Sequence, residues 1–191
     1  MVRKIIQVII DVIDTIAVWS AKIFSILFIP LMLLMVYEVF TRRVLGQPTV
    51  WTYEMARFLF VPLIMMCIGY THLQGGHASI DLLYGKMSRR GKAITNVLTH
   101  IFLLGWASIL AIQDTLTLAR MSWASLERTP SAFNAPIYPV KTFMPIGFIL
   151  VFLVCISVLL KNGYFLATNE PIQSKIMTAE LGDEEGGQTD D

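Results

Sequence analysis

Apolar residues gather along this chain into blocks separated by short polar intervals, and the blocks run to nearly the same length. Four of them, about 21–40, 53–72, 95–118 and 142–160, approach the roughly 20 residues that a helix needs to cross about 30 Å of hydrocarbon. Each predicts a membrane-spanning helix. A fifth segment, Ile5 to Ser20, is periodic rather than uniformly apolar. Gln7, Asp11 and Asp14 fall at i, i+4 and i+7, on one face of a helix whose other faces carry Ile and Val. This N-terminal amphipathic helix either lies in the membrane interface or leads directly into the first span. Asp11 and Asp14 also interrupt the apolar run that a cleavable secretory leader requires.

The intervals supply further elements. Gly46, Pro48 and Thr49 mark a turn after the first span, and Gln74, Gly75 and Gly76 end the second. From His77 to Gly91 an apolar patch (Ile80, Leu82, Leu83, Tyr84) precedes the basic residues Lys86, Arg89, Arg90 and Lys92, which predicts a short mid-chain interfacial helix and loop. Residues 119–141 hold Pro130, Pro136 and Pro139 with Trp123 and Tyr138, the composition of a structured interfacial loop with aromatic anchors. Pro145 and Gly147 stand near the expected start of the fourth span, where a first turn has N–H groups to spare. The expected organisation is one all-α membrane domain over 1–163. A cytoplasmic tail over 164–191 follows, acidic and free of aromatics from Ala179 onward and expected to be largely disordered.

Composition agrees. A chain of 191 residues that is 55% hydrophobic and 15% charged, with mean hydropathy +0.63, has the bilayer as its solvent. A net charge of +1 provides no basic field for nucleic acid. Cys67 and Cys155 lack metal or redox spacing and read as small buried hydrophobes. Near the spans, Arg3, Lys4, Lys86, Arg89, Arg90, Lys92, Lys161 and Lys175 fall on one side, against Arg42, Arg43, Arg120, Arg128 and Lys141 on the other. That asymmetry favours both termini in the cytoplasm.

Ionisable groups inside a bilayer are the first places to look for chemistry. Glu38 and Arg42 are four apart, and Glu54 and Arg57 three apart, so each pair shares a helix face. They serve either as an ion relay or as staples that hold the first two spans together or dock a partner. Asp114, beside Gln113 in the third span, is the candidate for an interior polar contact. His72, His77 and His100 raise a haem or quinone site, but their positions leave no mid-membrane pair on two helices. No nucleophile elbow, P-loop, HExxH or CxxC is present, and the spans lack the broken, Gly-interrupted repeat of a midplane transport site. Neither catalysis nor a cofactor or metal is expected.

Three motifs carry a family resemblance. The first is Arg43 followed by a short turn and Trp51-Thr52-Tyr53-Glu54-Met55-Ala56-Arg57, similar to an arginine and a W-x-E-E-x-x-R segment, with Tyr53 replacing the first acid. The second, Gly76-His77-Ala78-Ser79-Ile80-Asp81-Leu82-Leu83, is similar to G-H-x-x-V-D-L. The third is Pro136-Ile137-Tyr138 with Pro145-Ile146-Gly147-Phe148, which is similar to P-x-W and P-x-G-F. In this order, from Tyr37 to Leu160, the chain resembles the small membrane (Q) subunit of tripartite ATP-independent periplasmic (TRAP) transporters. The resemblance implies an importer located in the bacterial inner membrane, in which a periplasmic binding protein captures an organic acid and a large membrane subunit carries the substrate and sodium sites. The small subunit is then a scaffold. On that reading Glu38, Arg42, Arg43, Trp51, Glu54 and Arg57 hold the first two helices and the partner interface, while His77 and Asp81 fix the cytoplasmic turn. Two other classes remain open: a membrane anchor of a haem- or quinone-bearing redox enzyme, and a self-sufficient small transporter or channel.

Overall fold

The computed structural model describes residues 2–47, 49–74 and 88–178. His77, Asp81, most of the expected mid-chain interfacial helix and the acidic stretch from Ala179 lie outside the described residues. Among the described residues the longer α-helices are α1 Val2–Ser25, α2 Phe28–Val44, α3 Val50–Leu73, α4 Arg89–Thr99, α5 Trp106–Ala124 and α6 Tyr138–Thr168. A π-helical segment, His100–Gly105, joins α4 to α5. Among the described residues four helical stretches are long and apolar enough to cross a membrane: Arg3–Val44, Trp51–Leu73, Arg90–Ala124 and Tyr138–Thr168. The chain is an all-α, multi-pass membrane protein.

The first stretch shows that the N-terminal amphipathic helix leads into the first span instead of lying apart from it. The two are separated only at residues 26–27, where Leu27 N–H bonds to Phe24 O at 3.0 Å and Ile29 N–H to Ile26 O at 3.3 Å. The cause is Pro30. It has no N–H for the Ile26 carbonyl, and its ring crowds that carbonyl, so the helix tightens into i→i−3 bonds before resuming.

Helix α6 is the centre of the bundle. It packs against α1, α3, α4, the π segment and α5, while α2 packs on α3. Its sequence explains this place: α6 is apolar on all sides, and Val140, Pro145, Gly147, Leu150, Val151, Val154, Cys155 and Ser157 are all buried. The tightest approach is to α3. A Cβ on Gly147 would lie 2.6 Å from the Met65 carbonyl oxygen, and one on Gly69 would lie 3.4 Å from Leu150 Cβ. Each helix therefore offers a glycine to the other, which lets two backbones touch in a bilayer that supplies no hydrophobic drive for association. Gly105, by contrast, ends the π segment, where an added Cβ would meet the His100 carbonyl oxygen at 2.7 Å.

Below this crossing Ile13, Ala17 and Val18 of α1 form a core with Leu73 and Val154, flanked by Tyr70, Leu153, Ile156, Ile176 and Met177. The last two belong to the segment after α6. Helix α6 does not stop at the expected boundary near 160. It continues to Thr168 and ends at Asn169, whose left-handed backbone (φ 58°) directs its N–H to Phe165 O at 2.8 Å. Residues 170–178 then fold back on α1, where Gln7 Nε2 donates to Gln173 O at 2.8 Å and Lys175 N–H to Asp11 Oδ1 at 3.0 Å. Ile172 and Ser174 are buried there.

At its other end α6 begins at Tyr138, with Pro139 in the first turn. Pro145 is thus inside the helix and not in its first turn, which removes the bond to the Lys141 carbonyl. Pro136 precedes the helix and pairs with Arg128 in an antiparallel bridge.

The α3–α6 crossing gives a direct test. Gly147→Ala is expected to lower stability by about 1–3 kcal/mol through overpacking against backbone that cannot yield. Thermal unfolding in detergent measures it, and an unchanged transition would contradict the close approach.

Candidate functional site

Polar groups collect at the two ends of the bundle. At the end that carries the loops 45–49 and 125–137, Glu38 of α2 binds Arg42 one turn on, with Arg42 Nη2 at 2.7 Å from Oε1. Its second oxygen accepts from Thr49 Oγ1, and Thr49 also meets Thr52. Thr49 is the N-cap residue of α3, with extended backbone, but its hydroxyl makes no cap bond. The hydroxyl is used across the turn, so Glu38 fastens the end of α2 to the start of α3. Tyr37 and Trp51 pack beside this joint with ring centroids 5.9 Å apart.

Glu54 behaves differently from its sequence reading. The carboxylate is buried and reaches across to the 125–137 loop, accepting from Thr129 Oγ1 at 2.8 Å and from Ser131 Oγ. Thr129 Oγ1 in turn accepts from Ala135 N–H at 2.9 Å. Arg57 lies instead over the Tyr53 ring, 5.1 Å from its centroid. The direct hydrogen bonds of Glu54 thus tie α3 to a loop 75 residues later, with Arg57 acting on the carboxylate through its nearby charge. A neighbouring apolar groove of about 770 Å³ lies between α2 and α3, with Arg42, Arg43 and Arg57 among its lining residues.

The same loop is held from its far side. Lys141 Nζ lies 2.5 Å from Glu127 Oε2, and that hydrogen bond holds the Glu127 carboxyl below its ordinary value of 4.5. Trp123 and Tyr138 pack at a tilt with ring centroids 4.5 Å apart, and Trp123 Nε1 donates to Thr142 Oγ1 at 2.9 Å.

At the opposite end sits a cluster that the sequence reading missed. Asp14 of α1 is fully buried, accepting from Ser157 Oγ at 2.7 Å and from Lys161 Nζ at 2.6 Å, both on α6. The i, i+4, i+7 polar stripe of α1 was visible, but its partner was hidden. Lys161 had been counted only as a cytoplasmic charge. Nearby, His72 of α3 comes within 3.5 Å of Cys155 Sγ through Nε2, and its ring centroid is 5.0 Å from that of His100. The structure thus brings together two histidines that the sequence left apart. Their rings touch each other, and His100 Nδ1 is engaged by Asn96 O at 2.7 Å, an arrangement with no space between the rings for a ligated macrocycle.

A comparison with protein families matches residues 31–162 to the DctQ component of the tripartite ATP-independent periplasmic transporters. The chain belongs to this family. Comparison with curated proteins gives no match.

As a DctQ component, the chain is a small permease subunit of a TRAP transporter, a transporter component by family. The matched stretch contains both loop-end clusters and Lys161, while Asp14 lies before it. The Asp14–Lys161 pair therefore clasps the helix that precedes the matched stretch onto it. Asp114 also falls within the match, but not where an interior contact was expected. It is exposed on the outer face of α5 beside exposed Gln113 and Thr117, and among the described residues it has no hydrogen-bond or ionic partner.

Two predictions follow from these geometries. Lys161→Met is expected to cost about 3–5 kcal/mol by stranding the buried Asp14 charge, and the double variant with Asp14→Leu to recover most of that. Additive losses in thermal unfolding would show the two groups to be independent. For the Glu127–Lys141 pair, a lowered carboxyl value means that its stabilisation is complete above pH 4.5 and fades as pH falls through the lowered value. Glu127→Gln should accordingly flatten the acid limb of the stability profile, and an unaltered limb would remove the pair from the account.

Proposed function

We propose that this DctQ component is the fixed scaffold of a sodium-coupled, ATP-independent importer of organic acids in the bacterial inner membrane. It supports the large transport subunit and offers its loop end to the periplasmic binding protein. The observation that carries this reading is where the charges go. Glu38, Glu54, Glu127 and Asp14 are all engaged in tying elements of this chain to one another at the two ends of the bundle. Between those ends the waist is made of small and apolar residues, Gly69, Gly147, Leu150 and Val154. Such close packing at the α3–α6 crossing suits a rigid frame.

Orientation follows the distribution of Lys and Arg. Both termini are cytoplasmic, and the 45–49 and 125–137 loops are periplasmic. On this orientation Arg42, Arg43 and Arg57 belong to the periplasmic side. On the same orientation the acidic stretch beyond Ala179 is cytoplasmic.

Reconstitution tests the proposal. Liposomes with this chain, the large membrane subunit and the binding protein should take up labelled carboxylates under an inward sodium gradient, and omission of this chain should abolish uptake. Liposomes with this chain alone should show none. Uptake by the chain alone would overturn the scaffold reading, and sodium-independent uptake by the full set would overturn the coupling.

A further inference from the structure

The α5 face that carries Asp114 is the feature that the internal ties leave unexplained. Helix α5 packs chiefly on α6 and the π segment, which leaves a broad outer stripe. Trp106, Leu110, Asp114, Thr117 and Met121 follow one another at helical spacing along it, and all are exposed. Four of the five are what a lipid-facing helix needs or tolerates. Asp114 is not.

Its depth makes the conflict sharp. Trp123 and Tyr138 form an aromatic pair of the kind that marks a membrane interface. Asp114 lies nine residues before Trp123 and four before the end of the third span near 118, so its carboxylate sits about 6 Å of helical rise inside the hydrocarbon layer. The other acids near the membrane have partners within the chain: Glu38 has Arg42 and Thr49, Glu54 has Thr129 and Ser131, and Asp14 has Ser157 and Lys161. Asp114 alone among them faces outward without one among the described residues.

We infer that the Asp114 face of α5 docks a transmembrane helix of the large membrane subunit, and that this helix presents a basic side chain to the Asp114 carboxylate. This rests on the proposed function for the existence of that subunit. Charge complementarity selects the partner: a carboxylate held within the hydrocarbon layer is satisfied by a cationic donor, and the lipid tails around it have none. Gln113 supplies a neutral amide beside the carboxylate. Leu110, one turn away on one side, and Met121, two turns away on the other, provide the apolar contact that flanks the polar centre.

The test uses the assembled complex. A photoreactive benzoylphenylalanine at Leu110 or Met121 is expected to cross-link to the large subunit. Asp114→Leu is expected to reduce recovery of the complex at least tenfold, while this chain purified alone unfolds at an unchanged or higher temperature. The second readout separates lost docking from a lost fold, because removing a charge from a face exposed to detergent does not weaken the chain itself. An intact complex with cross-links only to lipid or to a second copy of this chain, or undiminished recovery with Asp114→Leu, would overturn the α5 assignment and leave the scaffold reading standing. Failure of the unsubstituted chain to associate with any large subunit would overturn the scaffold reading and this inference with it.

Discussion

Everything in this fold is arranged about one contact, the meeting of Gly147 with the Met65 backbone where α6 crosses α3. In water, burial of apolar surface would hold two such helices together. In a bilayer the competing solvent is as apolar as the helices, and what remains is the gain from close packing. Glycine makes that possible by letting backbone approach backbone. The reciprocal pairing of Gly69 with Leu150 extends the contact by one turn. Once α3 and α6 are locked, α1 fits the groove between them through Ala17 and Val18, both without exposed surface. The other helices are added to that three-helix centre.

Close packing alone does not fix register, because apolar surfaces slide. The polar ties at the two ends do. Asp14 against Ser157 and Lys161 sets α1 along α6, and Glu54 against Thr129 and Ser131 sets the 125–137 loop over α3. A buried carboxylate is weak evidence for net stability, since desolvation offsets much of its attraction. It is stronger as a constraint: displaced from its donors it becomes an isolated charge, and so only one register is tolerated. The short backbone ladder of the loop, Thr129 N–H to Ala135 O and Ile137 N–H to Glu127 O at 2.9 Å each, supports the same geometry.

How much of this the sequence revealed depends on the range of the interaction. The four spans were legible because length and apolarity are properties of a single segment. The Glu38–Arg42 pair was legible because it lies within one helical turn. The hydrogen-bond donors of Glu54 were hidden for the converse reason: Arg57 is near in sequence, but the loop donors reach the carboxylate only in the fold. Asp14–Lys161 escaped attention because 147 residues separate its members. Helix ends were misjudged where proline acted in an unexpected place. Pro30 broke a run that looked uniform, and Pro145 sat within a helix that it was expected to open. The outward turn of Asp114 is likewise absent from the sequence, since the face a helix buries is chosen by its neighbours.

The contrast between Asp14 and Asp114 leads to the last step. Both are acids in apolar helices, and a hydropathy profile treats them alike. The fold gives one a lysine and a serine, and it gives the other nothing among the described residues. A membrane protein that is complete by itself has little reason to turn a carboxylate toward lipid when an inward face is available one third of a turn away. Membership in a family of multi-component transporters supplies the reason: the bundle is a part, and its surface is shaped by what it joins. The internal ties make the frame rigid, and Asp114, the membrane acid left untied among the described residues, marks where the frame expects company.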